Sequence, residues 1–142
     1  MTSIKNLSFY LVCALIINCL AKQINSDFIG PFLRNNLVSI LINLLAINIA
    51  TCTILMTKLN EIKEKSEVDF SSTYKELKLS LKEQVFLISI SFITLMFDKS
   101  TMLIKDIPHF SLGINIILTF VFIYAIDILW DIDKAVFTII NH

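Results

Sequence analysis

The chain has 142 residues, enough for one domain, and its 12 basic and 12 acidic side chains give a net charge of zero. It is 56% hydrophobic and 17% charged, whereas about a quarter of a soluble globular domain is charged. The mean hydropathy is +0.76. So few polar side chains cannot cover the apolar surface of a soluble fold, and we therefore predict that lipid solvates the protein. No basic face stands out, which argues against a nucleic-acid partner.

The first apolar run, Leu7–Ala21, lies between Lys5 and Lys22. It is shorter than the roughly 20 residues that a membrane helix needs, but the stems of both lysines can extend to the interface. We therefore predict a span at about 5–22. A short apolar core after a single lysine is also typical of a cleavable signal peptide, and this alternative stays open.

The second apolar run, Leu37–Met56, contains no charged residue and has the length of a transmembrane helix, about 20 residues. It predicts a span at about 37–57. The residues before it, Gln23–Asn36, form a polar connector, and its glycine–proline pair, Gly30-Pro31, is expected to interrupt helical structure. The large apolar side chains of this connector place it at the membrane surface.

The longest polar stretch, Thr57–Gln84, has a helical charge pattern that contains six lysines and six acidic residues. Thr73 and Glu76 have the spacing of a capping box, which would open a new helix after a turn near Asp69–Ser72. We therefore predict that the second helix leaves the membrane, turns, and returns as the third helix. The resulting helical hairpin, residues 57–84, would stand on the cytoplasmic side.

The third apolar run, Val85–Phe97, is too short to cross a bilayer core of about 30 Å by itself. Three alternatives remain open for it. The helix ends at Asp98, it continues through the following residues to Ile104, or the segment is re-entrant. We predict a span at about 84–104, which corresponds to the second alternative.

The fourth apolar run, Leu112–Leu129, is closed by Trp130, a residue type that prefers the headgroup level, and it predicts a span at about 110–130. The amphipathic tail, Asp131–His142, either extends this helix or lies along the membrane surface. We thus predict an all-α protein with a single membrane domain, residues 1–142. It is a polytopic bundle of four transmembrane helices with a cytoplasmic helical hairpin between the second and the third.

Lysine and arginine counts predict the orientation, because short loops rich in these residues stay in the cytoplasm. One side carries eight basic residues: Lys5, the six lysines of the hairpin and Lys134. The other side carries four: Lys22, Arg34, Lys99 and Lys105. We therefore expect both termini and the hairpin in the cytoplasm. The abundance of isoleucine, lysine, asparagine and phenylalanine is what AT-rich coding gives, as in a low-GC bacterium or an acquired genomic island. We predict that the protein lies in a bacterial inner membrane.

The sequence lacks the residue patterns of an enzyme. The three cysteines, Cys13, Cys19 and Cys52, lie in apolar stretches without a CxxC spacing, which argues against a disulfide framework or a zinc site. The chain has two histidines, His109 and His142. It contains no metal-binding, nucleophile or phosphate-loop motif. We predict a protein that is not an enzyme and that holds neither a cofactor nor a metal.

Four asparagines, Asn18, Asn43, Asn48 and Asn115, lie inside apolar runs, where polar groups are functional candidates by default. The favoured role is hydrogen bonding between helices, which fits a homo-oligomer, and the alternative is to line a polar path. Asn43 and Asn48 are about 140° apart at 100° per residue, so they should not share one stripe. Together with Asp127, the last three asparagines form the predicted set of intramembrane polar residues.

Two acidic positions near the membrane boundary have competing interpretations. Asp127 is followed one turn later by Asp131, which suggests an ion or proton site at the cytoplasmic end of the fourth helix. The favoured alternative for Asp127 is an interfacial acid paired with a lysine of a neighbouring helix. Asp98 and Lys99 form the other charged pair, and we expect them to lie in a plain loop.

In outline the chain resembles small membrane proteins of bacterial conflict systems. The resemblance rests on architecture along the whole chain: four apolar runs, a charged hairpin at Thr57–Gln84 and short outer loops. It is similar to the four-helix membrane subunits of anti-phage systems, such as the membrane subunit of Kiwa, and to colicin-type immunity proteins. The resemblance implies a role in bacterial defence and carries over no individual residues.

Three functions follow as hypotheses. In the first, an oligomeric inner-membrane protein docks a cytoplasmic partner and senses or perturbs the membrane. The proposed partner contacts are Phe70, Tyr74, Glu76, Lys78 and Glu83. In the second, a pore or holin-like effector uses the intramembrane polar set, Asn43, Asn48, Asn115 and Asp127, to line or gate a channel. In the third, an immunity protein blocks the pore of a toxin within the bilayer.

Overall fold

The structure, a computed structural model, describes residues 3–65, 69–99 and 109–140. This part of the chain forms four helices. Helix α1 is Ser3–Gln23, α2 is Ile29–Lys65, α3 is Ser71–Asp98 and α4 is Phe110–Ile140. These ranges contain no β-strand. The predicted all-α class is therefore confirmed.

Three of these helices, α2, α3 and α4, are long and apolar enough to cross a membrane. Their candidate spans are Ile29–Glu64, Ser71–Asp98 and Phe110–Phe137. The apolar part of α1, Leu7–Gln23, is shorter than a full span. Length and composition thus support three of the four predicted spans, while the span of α1 stays a prediction.

Large apolar side chains cover the outside of the bundle. Phe86 and Phe92 of α3 are 64% and 60% exposed, Ile54 of α2 is 64% exposed, and Phe9 of α1 is 64% exposed. Side chains of this kind, distributed over three helices, would form a large contiguous apolar surface in water. A hydrocarbon environment accommodates them without cost.

The connection between α1 and α2 is shorter than predicted. Helix α2 begins at Ile29, so Gly30 and Pro31 lie in its first turn and the predicted polar connector Gln23–Asn36 is wrong in extent. Proline is tolerated at this place because the first N–H groups of a helix have no partner within the helix, and its fixed φ suits the helical conformation. Asn25, with φ of 50°, lies in the turn that follows α1.

Helix α3 begins without the predicted capping box. Its N-cap is Phe70, which makes no side-chain capping bond. Instead the carboxylate of Asp69 accepts hydrogen bonds from the backbone N–H of Ser71 at 3.0 Å and from its hydroxyl at 2.9 Å. These two bonds lower the pKa of Asp69 from its ordinary value of 3.8. The Thr73–Glu76 prediction is therefore wrong, because Asp69 already supplies the acceptor for this turn.

Helix α3 ends at Asp98, and the backbone N–H of Lys99 bonds to the carbonyl of Met96. The predicted end of the third span at residue 104 lies outside the described residues. The helix gains its length at the other end, because it starts at Ser71 and includes the charged residues before Val85. Helix α4 is continuous to Ile140, so most of the predicted amphipathic tail extends the fourth helix.

Helix α4 is the centre of the bundle and contacts each of the other three helices, while α1 packs mainly on α4. In the most apolar 18-residue segment of each of the three long helices, 39% of the residues are buried in α4, against 22% in α2 and 22% in α3. The core consists of apolar side chains on α2, α3 and α4. Its completely buried members include Leu37, Leu41, Leu118, Val121 and Ala125.

Helices that follow one another in the chain run antiparallel, while α2 and α4 run parallel, and the bundle therefore has two ends. At one, the Arg34 end, the start of α2 meets the end of α3 through a bond from Arg34 to Asp98. At the other, the Tyr74 end, the hydroxyl of Tyr74 on α3 donates to Asn60 on α2 at 2.6 Å. Residues 66–68, the middle of the predicted hairpin, lie outside the described residues. Its position on the cytoplasmic side of a membrane stays a prediction.

Candidate functional site

A cavity of about 390 Å³ opens between α1, α3 and α4 at the Tyr74 end. Four carboxylates line it: Glu76 and Glu83 from α3, and Asp127 and Asp131 from α4. Glu76 and Glu83 are two turns apart, and Asp127 and Asp131 are one turn apart, so each pair lies on one face of its helix. The remaining wall includes Tyr10, Tyr124 and apolar residues of α3 and α4.

Two tyrosine hydroxyls donate hydrogen bonds to the half-buried carboxylates of the cavity, Asp127 and Glu83. The hydroxyl of Tyr10 on α1 donates to Oδ2 of Asp127, and the hydroxyl of Tyr124 on α4 donates to Oε2 of Glu83 at 2.9 Å. The two rings stack with their centroids 5.3 Å apart and an interplanar angle of 22°. The two hydrogen bonds and the ring stack together join α1, α4 and α3. Glu76 and Asp131 remain exposed at the mouth of the cavity.

The charge of the cavity favours cations. Its four carboxylates attract a positive group by Coulomb interaction, and the partly enclosed geometry weakens solvent screening. Among the described residues, no three histidine, cysteine or acidic side chains lie close enough to hold a metal ion. The carboxylates are spread along the cavity, and they therefore suit several cationic groups of an extended ligand better than one bare ion.

The predicted partner contacts fall into two groups. Glu76 and Glu83 line the cavity. Lys78 is exposed beside it, Phe70 is half-buried at the start of α3, and Tyr74 is engaged with Asn60 on α2. The five residues therefore do not all face the cavity. The sequence suggested acidic positions on α3 and on α4 separately, and it did not show that they line one cavity.

The predicted intramembrane polar residues lie in four different places. Asn48 is fully buried and donates to Oε1 of Gln84 at 2.8 Å, whereas Asn43 faces outward from α2. Asn115 is half-buried at the Arg34 end, and its Oδ1 has no partner among the described residues. Asp127 lines the acidic cavity and bonds to Tyr10. The structure does not bring these side chains onto one channel-lining stripe.

Asparagines do bond between helices, which is the role that the sequence analysis favoured. Asn18 on α1 donates to the hydroxyl of Thr119 on α4 at 3.0 Å. Asn48 bonds to Gln84, as described above, and connects α2 with α3. Both bonds lie in buried surroundings, where an unpaired amide would cost free energy.

Three helices meet at Arg34. Its Nε donates to Asp98 of α3 at 2.9 Å, and its Nη2 donates to the hydroxyl of Ser111 on α4 at 2.9 Å. Gly30 leaves room for this arrangement, because a Cβ there would lie 2.8 Å from Nη1 of Arg34 and 2.9 Å from Nδ2 of Asn115. Asp98 is thus an ion-pair partner of Arg34 and not part of a plain loop, which corrects the prediction.

Comparison with known proteins gives no relative. No protein-family model, no curated protein and no solved structure matches the chain.

Substitution of Tyr10 tests the connection between α1 and the cavity. Tyr10→Phe keeps the ring stack but removes the hydrogen bond to Asp127, so we expect a loss of about 1 kcal/mol in the free energy of unfolding. The loss is moderate because water in the cavity can solvate the carboxylate. Tyr10→Ala removes the stacked ring as well and should cost more. Unfolding in mixed SDS micelles measures both, and equal stability of all three proteins would contradict this account.

Proposed function

We propose that this chain is a non-enzymatic inner-membrane protein that crosses the bilayer four times and docks a basic cytoplasmic partner at its acidic cavity. The Tyr74 end, both termini and the hairpin are cytoplasmic in this proposal. The protein works as a homo-oligomer, and the assembly senses or perturbs the membrane in bacterial defence. The defence role follows from the resemblance to the membrane subunits of anti-phage systems.

The fourth span in this proposal is α1. Its support comes from the alignment of α1 with α4: Tyr10 bonds to Asp127, and Asn18 bonds to Thr119. Both α4 residues belong to the candidate span Phe110–Phe137. Since α1 lies alongside this helix, it enters the same layer of the membrane, and its lysines extend the short apolar segment to the interfaces.

The single observation that carries the docking role is the acidic cavity at the Tyr74 end. It combines four carboxylates and a volume of about 390 Å³ at the end of the bundle that the lysine counts assign to the cytoplasm. Lysine or arginine side chains of a partner would complement this charge, and such complementarity raises association rates and specificity. The exposed position of Glu76 and Asp131 makes them accessible to a partner in water.

A basic peptide probes this role directly. The full chain in lipid nanodiscs should bind a fluorescent oligoarginine peptide, and salt should weaken the binding because the attraction is electrostatic. The double variant Glu76→Lys/Asp131→Lys should weaken binding at least about fivefold, since each reversal replaces an attraction with a repulsion. Both positions are exposed, so the fold should tolerate the changes.

The matched control is Lys78→Glu, which changes charge at an exposed position of α3 that does not line the cavity. It should leave oligoarginine binding unchanged or slightly stronger. An oligoglutamate peptide of equal length should not bind. If the double reversal binds oligoarginine as tightly as the natural protein, the cavity is not the docking site.

A further inference from the structure

One outward face of α2 carries an uninterrupted row of small and polar side chains. Its positions alternate by three and four residues, the heptad spacing at which helices pair. The row consists of Asn36, Ser39, Asn43, Ala46, Ala50, Thr53, Thr57 and Asn60, and every member is exposed. We call it the α2 seam. No large apolar side chain interrupts it, although α2 is otherwise rich in leucine and isoleucine.

Isoleucines border the α2 seam on both sides. Ile42 and Ile49 occupy the heptad positions that precede the seam residues Asn43 and Ala50, and they are 51% and 49% exposed. Ile47 and Ile54 follow on the opposite border with exposures of 54% and 64%. The result is a shallow groove with a floor of small side chains and two apolar rims. Small interface residues allow two membrane helices to approach closely, so this shape fits another helix.

Asn43 identifies the kind of partner that the groove needs. It lies within the apolar run of α2, and its amide has no hydrogen-bond partner among the described residues. Several other polar members of the seam have a partner: Asn36 bonds to Phe32 and Thr53 to Ile49 within α2, and Asn60 accepts from Tyr74 of α3. Lipid tails cannot bond to the amide, and an unpaired amide in hydrocarbon is costly. The covering helix must therefore offer a donor and an acceptor at the depth of Asn43.

We propose that a second copy of this chain covers the α2 seam, so that two α2 helices pair in parallel and Asn43 bonds to Asn43. The proposal rests on the proposed membrane insertion, since all copies then enter the bilayer with one orientation. A two-fold axis along the membrane normal brings each seam residue opposite its counterpart. The asparagine amide is both donor and acceptor, and two copies at equal depth satisfy each other.

Disulfide cross-linking in native membranes tests the pairing. The background is the full chain with Cys13, Cys19 and Cys52 replaced by alanine, and Ala46→Cys or Ala50→Cys is then introduced. Both variants should form dimers upon oxidation with copper phenanthroline, because a two-fold axis at the seam places identical residues face to face. The control is Ser89→Cys, an exposed small residue of α3.

Ser89 is a suitable control because it lies at the depth of Asn43. Both residues fall between the Asn48–Gln84 bond and the Arg34–Asp98 pair, which connect α2 and α3. Cross-linking at the seam without cross-linking at Ser89 supports the proposal. Equal cross-linking at all three positions, no dimer at any of them, or an adduct with a protein of another mass overturns it.

A second variant isolates the amide. Asn43→Leu should weaken self-association in lipid about 5- to 30-fold, as measured by energy transfer between labelled copies upon dilution with lipid. Asn43→Gln keeps a donor and an acceptor and should retain most of the association. Unchanged association of Asn43→Leu would overturn the Asn43 pairing. Oligoarginine binding at the cavity reports on the proposed function separately, because the cavity involves α1, α3 and α4 and not the seam.

Discussion

Replacement of Arg34 by leucine is expected to cause the largest loss of stability of any single change considered for this protein, about 2–3 kcal/mol in the free energy of unfolding. Arg34 bonds to Asp98 on α3 and to Ser111 on α4, so its removal deletes the polar contacts that join three helices at this end. The side chains of Arg34 and Asp98 are only 22% and 15% exposed. The carboxylate that remains therefore loses its counter-charge in a place where water replaces it poorly.

Three companion variants separate charge from geometry at this pair. Arg34→Lys restores the charge, but an ammonium group lacks the planar fork of donors that reaches both partners, so it should recover less than half of the loss. Asp98→Asn keeps an acceptor oxygen and should cost less than Arg34→Leu. The double variant Arg34→Leu/Asp98→Leu should be more stable than Arg34→Leu alone. If Arg34→Leu unfolds at the same SDS concentration as the natural protein, the pair does not stabilise the bundle.

The second large effect is expected at the buried amide pair between α2 and α3. Asn48 and Gln84 are both 0% exposed, and one hydrogen bond of 2.8 Å joins them. Asn48→Leu leaves the buried amide of Gln84 without its donor, at a cost of about 1–3 kcal/mol. Gln84→Leu should cost a similar amount for the same reason.

The double variant Asn48→Leu/Gln84→Leu is the informative one. It removes both polar groups from the interface, so no unsatisfied amide remains, and its stability should return to within about 1 kcal/mol of the natural protein. Oδ1 of Asn48 and Nε2 of Gln84 have no partner among the described residues. The double variant removes these unsatisfied groups as well, which favours full recovery of the free energy of unfolding. Additive losses in the double variant would show that the two side chains do not act as a pair.

The helices themselves could be predicted from hydropathy, because long apolar runs are strong signals in a chain this rich in isoleucine and leucine. Helix bounds could be predicted less well. The pair Gly30-Pro31 predicted an interruption of helical structure. In the first turn of α2, however, the N–H that proline lacks would have no partner within the helix. Similarly, Thr73 and Glu76 matched a capping pattern, but α3 begins before them at Ser71, whose N–H donates to Asp69.

The cavity could be predicted only in part. Its carboxylates are visible in the sequence, and Glu76 and Glu83 were proposed as contacts for a partner. The tyrosine bonds were missed because they depend on packing between distant segments: Tyr10 and Asp127 are 117 positions apart. Antiparallel topology offered a signal, since the start of α1 must then lie beside the end of α4. Local sequence cannot supply the rotation of each helix, which decides which side chains meet.

The two asparagines of α2 illustrate the same limit. Their spacing predicted different faces, and the structure has Asn48 buried and Asn43 exposed. Nothing local to either residue decides which one faces α3, because both are surrounded by leucine and isoleucine. That choice depends on Gln84, which offers Asn48 a buried partner. The row of small residues around Asn43, in contrast, is readable from the sequence once the outward face of α2 is known.

The central claim, a bundle that crosses the membrane with the Tyr74 end in the cytoplasm, is tested most directly by cysteine labelling. In a background without the three natural cysteines, Gln23→Cys and Ser72→Cys place single exposed thiols at opposite ends of the bundle. A membrane-impermeant maleimide applied to intact spheroplasts should label Gln23→Cys, and it should label Ser72→Cys only after lysis. Labelling of Ser72→Cys in intact spheroplasts, or recovery of the protein in the aqueous fraction without detergent, would contradict the account.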